Sequence, residues 1–184
     1  IEDVTVATPA AHEVLIRTAA VGVCRSDLHF VDGAYPHAMP TIPGHEAAGI
    51  VEAVGSEVRT VKVGDAVVTC LSAFCGHCEH CLTGYMSRCV SPDTKRGAED
   101  KPRLEATSGV MNQFLNLSSF AEQMLIHEHA CVAIRKDMPL DRAALIGCSV
   151  MTGVGAAIHT SNVRPGETVA VIGCGGDGLA AING

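Results

Sequence analysis

Cys75-Gly-His-Cys78-Glu-His-Cys81, followed by Cys89, places four thiols within fifteen residues. Such density points to tetrahedral metal binding. These spacings let one short loop wrap its sulfurs around an ion at roughly 2.3 Å each, which closes the coordination shell and leaves no position for a reactant. The predicted role of the knot is structural. His77 and His80 compete as ligands within it, but four thiols already complete a tetrahedron, so both are expected to be exposed loop histidines. A second set, Cys24 with Gly44-His45-Glu46 and Cys148, is spread along the chain and reads as catalytic. Taken singly, His45-Glu46 is an ordinary turn pair and Cys148 an ordinary buried thiol.

A third constellation lies near the end of the sequence. Glu167-Thr-Val-Ala-Val-Ile172 is a short apolar run of the kind found in a buried parallel strand, and Gly173-Cys-Gly175-Gly176-Asp177-Gly178 and Leu-Ala-Ala-Ile follow it. The order predicts strand, glycine turn and helix. Gly173 permits the tight turn, Gly175 the approach of a pyrophosphate to backbone, and Gly178 the seating of helix on strand. The helix N-terminus then favours phosphate.

The elements that must position these groups are mostly strands. Glu13 to Val23 reads as one, and Gly49 to Val68 as short strands punctuated by glycine turns. Strands resume between Phe120 and Ile134, so a barrel-like, mostly antiparallel lobe is expected. Ser91 to Ser108, with Pro, Gly and many charges, is expected to be a surface loop. Leu140 to Ile146 and Gly153 to Thr160 read as helices.

Composition bounds the function. Hydrophobic residues make up 47% of the chain and charged ones 18%, which suits a folded enzyme and argues against disorder. A net charge of -7 disfavours nucleic acid and anionic membranes as partners. Ala143 to Ile158 falls short of a membrane span, and nothing resembles a signal peptide. Nine cysteines without secretion signals favour metal ligation in a reducing, cytoplasmic compartment over disulfides. Cys70, Cys131 and Cys174 are left as small hydrophobes. With Ile1 in first place and Gly184 ending the chain inside the glycine-turn unit, a fragment of a longer protein is expected.

Together, Cys24-Arg25-Ser26-Asp27, Gly44-His45-Glu46-x-x-Gly49-x5-Gly55, the four-cysteine knot, Gly147-Cys148-x-x-x-Thr152-Gly153 and the glycine turn resemble the zinc-containing medium-chain alcohol dehydrogenases, in the family's order. The resemblance implies a barrel-like, GroES-like catalytic domain over residues 1-150. It also implies the incomplete beginning of a doubly wound Rossmann dinucleotide-binding domain over residues 151-184. Two zinc ions are implied per chain. Cys24, His45 and Cys148 would hold the catalytic one, and Cys75, Cys78, Cys81 and Cys89 the structural one.

By the same resemblance, Glu46 stands beside the metal and Asp27 orients the His45 imidazole. Ser26 begins a proton relay that His29 ends. Arg25, Thr152, Gly173, Gly175, Gly176 and Gly178 would meet the nicotinamide cofactor, with NAD or NADP decided beyond Gly184. The residues alone leave Ser26 open as a helix cap, Arg25 as a solvated charge and Leu71 as either pocket lining or core. Asp177 departs from the family's small apolar residue; it is either a solvated helix N-terminal carboxylate or one that faces the nicotinamide ring.

The implied activity is reversible oxidation of a primary or secondary alcohol, aryl and medium aliphatic ones included, in a homodimer or homotetramer. Three alternatives stand beside it: a thiol-adduct (formaldehyde-type) dehydrogenase, a zinc-free reductase of the superfamily, and a non-catalytic zinc-binding module.

Overall fold

The computed structural model describes residues 1–97, 99–107 and 109–184. Its strands are Val4–Val6 (β1), Glu13–Gly22 (β2), Thr41–Ile42 (β3), Glu46–Val54 (β4), Ala66–Thr69 (β5), Leu104–Ala106 (β6), Gly109–Val110 (β7), Asn112–Gln113 (β8), Gln123–His127 (β9) and Cys131–Ala133 (β10). The helices are Arg25–Val31 (α1), Glu79–Leu82 (α2), Leu140–Ala143 (α3), Ser149–Gly155 (α4) and Gly176–Asn183 (α5).

β-Branched and small residues dominate β2, β4 and β5, which are the centre of an antiparallel sheet ordered β10-β5-β4-β2-β9. Val14, Ile16, Ala47, Val51, Val67, Leu117, Met124 and Ile126 fill its buried face. The β2–β4 register shifts twice, between Leu15 and Ile16 and between Thr18 and Ala20. Such bulges add twist and let a sheet curl into the barrel-like form that the short strands predict. The sheets β1-β6-β7 and β3-β8 complete the strand layer. Cys131 is buried against the core and its thiol is pushed up to about 12 by burial, so it behaves as a hydrophobe; Cys174 is exposed.

Two expectations need correction. Ser91 to Ser108 is not a simple surface loop, since it contains a 3-10 turn at Pro92–Thr94 and the strand β6, which pairs with β1. Its charges mislead because two of them turn inward: Arg96 and Arg103 both bond the buried Glu13 carboxylate, Arg103 Nε at 2.6 Å. Burial alone would raise the Glu13 carboxyl, but Arg96, the Ala10 N–H and Arg103 hold it below the ordinary range. Ala98 and Ser108 of this segment lie outside the described residues.

The second correction concerns residues 167–172. No strand forms there; Val169 is 54% exposed and Ile172 100%. An apolar run becomes a parallel strand only when neighbours satisfy its backbone, and no described strand lies beside it. The predicted helix does follow, as α5.

Leu140–Gly147 and Ser149–Thr160 are two helical stretches that meet at 53°, with Cys148 at the break. The first is α3 continued by a 3-10 turn, and the second is α4 continued by a π-turn, so this helix starts earlier than Gly153. No single helix among the described residues is long and apolar enough to cross a membrane.

Glu128, in the turn between β9 and β10, ties two distant loops to this frame. One carboxylate oxygen pairs with His12 Nδ1 at 2.8 Å, and the other accepts from the backbone N–H groups of Arg59 (3.0 Å) and Thr60 (3.3 Å) and the Thr60 hydroxyl (3.1 Å). Burial opposes ionisation, yet these donors hold the carboxyl down at about 2. A folded-state value below the unfolded one stabilises the fold above the unfolded pKa, and that contribution disappears as pH falls through the folded value. Wild type should therefore lose thermal stability between about pH 4.5 and 2. Glu128→Gln should start less stable at neutral pH and lose less over that window, as followed by thermal melts; parallel pH profiles would refute the assignment.

Candidate functional site

The open donor set is assembled by three local structures. Cys24 is the N-cap of α1 in extended conformation, and its sulfur accepts from Ser26 N–H at 3.5 Å. Cys24 rather than Ser26 therefore caps the helix, which disposes of the capping alternative for Ser26. Asp27 answers from the third helical position, its Oδ2 accepting the Cys24 N–H at 3.0 Å. Its other oxygen accepts from His45 Nδ1 at 2.8 Å, with both residues 1% exposed. A proton held on Nδ1 by the carboxylate leaves Nε2 as the free lone pair. Nε2 faces Cys148 Sγ at 3.4 Å, across 103 positions of sequence.

His45 enters from Gly44, whose φ is +97° and whose missing Cβ would lie 2.5 Å from both Phe120 Cδ1 and Ser119 Oγ. Only glycine satisfies both demands. Glu46 opens β4 and is buried. The ligand atoms of Cys24, His45, Glu46 and Cys148 all lie within 4.8 Å of one another.

The electrostatics of this cluster keep its acids neutral unless a cation joins them. Burial pushes the Glu46 carboxyl up, against the hydrogen bonds and charge of Cys148, His45 and Cys24. Burial, then the facing charges of Cys24 and Glu46, push the Cys148 thiol far up. Two thiolates beside a carboxylate coexist only if positive charge sits among them. Two sulfurs and one imidazole nitrogen suit zinc, and the Glu46 carboxylate stands near enough to be a fourth donor.

In the knot, sulfur separations are 3.9 Å for Cys75–Cys81, 3.5 Å for Cys78–Cys81 and 3.9 Å for Cys78–Cys89. A tetrahedron with bonds of roughly 2.3 Å has edges of about 3.8 Å. The sulfurs thus stand at metal-site spacing and far beyond disulfide length. The His77 and Cys78 N–H groups donate to Cys75 Sγ and lower its thiol to about 6. His77 instead pairs with Asp93 at 2.9 Å, and neither it nor His80 belongs to the four-sulfur group. His129 anchors the lobe from the β9–β10 turn. Its ring stacks on Phe74 at 4.5 Å, and Nδ1 donates to the Phe74 carbonyl at 2.7 Å.

The remaining predicted residues lie around the open set. Ser26 and His29 are half-buried and stand three apart on α1, which places them on one helix face. Arg25 is exposed at the start of α1 and Thr152 is exposed on α4, its N–H bonded to the Cys148 carbonyl at 2.8 Å. Gly173 has φ +96°, and a Cβ on Gly178 would lie 1.8 Å from the Gly173 carbonyl oxygen, so the turn is as tight as predicted. Gly176 lies against Ser149, the residue after Cys148, whereas a Cβ on Gly175 would meet nothing within 4 Å. Asp177 is exposed in the first turn of α5. Leu71 packs against the sheet's core, which favours its structural alternative.

Sequence reasoning missed Phe114. Its buried ring meets Phe30 edge-on at 4.8 Å and His37 at 5.2 Å, and lies 6.2 Å from the His45 ring, filling the space between α1 and the imidazole. The available signal was scarcity, since the chain has four Phe, two Tyr and no Trp. After Phe114 come Leu115, Asn116 and Ser118, all non-glycines with left-handed backbone at φ 45°, 63° and 56°. Such residues cost of order 1–3 kcal/mol each. The Asn116 amide to the Leu71 carbonyl (2.8 Å) and the Phe114 N–H to Ser118 Oγ (2.8 Å) hold them.

The alcohol dehydrogenase GroES-like domain family matches residues 10–136. The S-(hydroxymethyl)glutathione dehydrogenase of Saccharomyces cerevisiae is 41% identical over 190 residues, covering all of this chain and 49% of the yeast protein. An alcohol dehydrogenase zinc-binding domain protein from Burkholderia ambifaria superposes with a TM-score of 0.89 at 35% identity, over 98% of this chain and 50% of that one. The benzyl alcohol dehydrogenase of Acinetobacter calcoaceticus does so at 0.86 and 34%, over 97% and 49%. The chain spans about half the length of these relatives. With its GroES-like fold and its two clusters of metal-ligating side chains in the family's order, the chain belongs to the zinc-containing medium-chain alcohol dehydrogenases.

Proposed function

We propose that the chain carries the zinc-binding catalytic half of a nicotinamide-dependent alcohol dehydrogenase, which oxidises primary or secondary alcohols reversibly to aldehydes or ketones. The observation that carries this reading is the convergence of Cys24, His45 and Cys148 with the Asp27 carboxylate behind His45. Zinc held by these three would supply the Lewis acidity that lowers the pKa of an alcohol at the open position.

The chain's own residues do the rest. Asp27 keeps the proton on His45 Nδ1. The Ser26 hydroxyl accepts the alcohol proton, and His29 passes it to solvent. Glu46, buried beside the ligands, adds negative charge to the site when ionised. A bound nicotinamide, NAD being favoured and NADP open, would supply the hydride acceptor. The glycine turn from Gly173 to Gly178, with α5, is proposed as the opening of a Rossmann domain whose pyrophosphate site includes Arg25 and Gly175. Thr152 is placed at its nicotinamide end. Cys75, Cys78, Cys81 and Cys89 hold a second zinc that is structural. The working protein is proposed to be a cytoplasmic homodimer or homotetramer.

A second substrate reading is favoured by the identity to the yeast S-(hydroxymethyl)glutathione dehydrogenase. Benzyl alcohol and the hydroxymethyl adduct of glutathione, assayed with NAD in protein carrying a complete dinucleotide domain, separate the two. If neither these nor a panel of primary and secondary aliphatic alcohols is turned over, the dehydrogenase reading fails and the zinc-binding module remains.

Metal analysis should give two zinc ions per chain, and one or none in folded protein would sink the assignment. Cys89→Ser should remove one ion and lower the melting temperature, whereas Cys148→Ser should remove the other with less loss of stability. In the turnover assay, Ser26→Ala should lower kcat and leave the cofactor dissociation constant near wild type. A change confined to cofactor affinity would exclude the relay role.

A further inference from the structure

Thr69, the last residue of β5, touches both halves of the open donor set without belonging to it. It is fully buried, and its hydroxyl donates to the Ala47 carbonyl at 3.1 Å, two residues beyond His45. Its own carbonyl oxygen faces the backbone of Gly147, the residue before Cys148. A Cβ on Gly147 would lie 1.8 Å from that oxygen and 3.0 Å from its carbon. Gly147 is not among the glycines with left-handed backbone, so space rather than conformation demands glycine there. The carbonyl has little room to retreat, because β5 is held between β4 and β10, with Thr69 opposite Cys131.

We infer that Thr69 is a positioning residue. One side chain and one carbonyl of the same residue fix where β4 carries His45 and where the 53° helix break carries Cys148, so the gap between imidazole and thiol is set from β5. Gly147 is the complementary half of the device. Nothing in the reaction touches either residue. The inference rests on the zinc site proposed above.

The test is zinc withdrawal by a graded chelator, with cobalt substitution reporting thiolate ligation at each site through its absorption. Wild type, Gly147→Ala, Thr69→Val and Thr69→Ser are compared. Gly147→Ala should hold zinc at Cys24, His45 and Cys148 about 10- to 100-fold more weakly, the range expected when support behind a ligand is lost. The knot's zinc and the circular dichroism should stay as in wild type. Thr69→Val should weaken the same site about tenfold, while Thr69→Ser, which keeps the hydroxyl, should restore it.

A folded Gly147→Ala with wild-type affinity at both sites overturns the positioning role. Should that variant not fold, the Thr69 pair decides, and equal affinities for Val and Ser overturn it as well. Wild type that binds zinc only at the knot is a different result, which removes the function reading and this inference with it.

Discussion

The Asp27 carboxylate is divided between two duties, and the open donor set depends on both. One oxygen closes the first turn of α1 by accepting the Cys24 N–H, and the other holds the His45 imidazole. Cys24 and His45 lie on different elements, yet a single buried carboxylate fixes their relation. Losing one partner would leave the buried carboxylate half-satisfied, at a cost of about 1–3 kcal/mol. Local helix capping and long-range ligand geometry are therefore a single interaction here. The helix start, the tautomer of the imidazole and the direction of its free lone pair stand or fall together.

The knot follows a different logic. Its ligands come from one short stretch, so loop geometry and N–H···S bonds can gather them without the sheet. What the sheet supplies is an anchor, through the stacking of His129 on Phe74 and the bond to the Phe74 carbonyl. The open set has the opposite dependence. His45 and Cys148 meet only because β4, β5 and the helix break are in register; a Cβ on Gly147 would crowd the Thr69 carbonyl, and one on Gly44 would crowd Phe120 and Ser119.

That contrast explains how much could be read from the sequence. The cysteine spacing names the knot because all its information is local. The central strands were legible because Val14, Ile16, Val51 and Val67 alternate or cluster as buried faces require. The open set was legible through its resemblance to a family, since no spacing rule joins residues 103 positions apart. Thr69 and Phe114 escaped notice because their types are ordinary core choices and only position gives them meaning. Arg96 and Arg103 fall in a segment whose composition predicts a surface loop, because sequence shows a charge but not the Glu13 that receives it. Residues 167–172 have the composition of a strand, but strand formation is a property of neighbours as much as of composition.

The left-handed run from Leu115 to Ser118 has a consequence in time rather than space. Of its three left-handed residues only Asn116 is of a type that visits that conformation readily, and the bonds that hold the run reach to Phe114 and, across 45 positions, to Leu71. The run is therefore expected to order only after the segment that follows β5 and carries Leu71 is in place, on the native side of the folding barrier. Perturbing it would speed unfolding while leaving the folding rate nearly unchanged. Phe114, which begins this segment, is the ring beside His45. The imidazole thus takes part of its packing from a segment expected to settle late and to leave early.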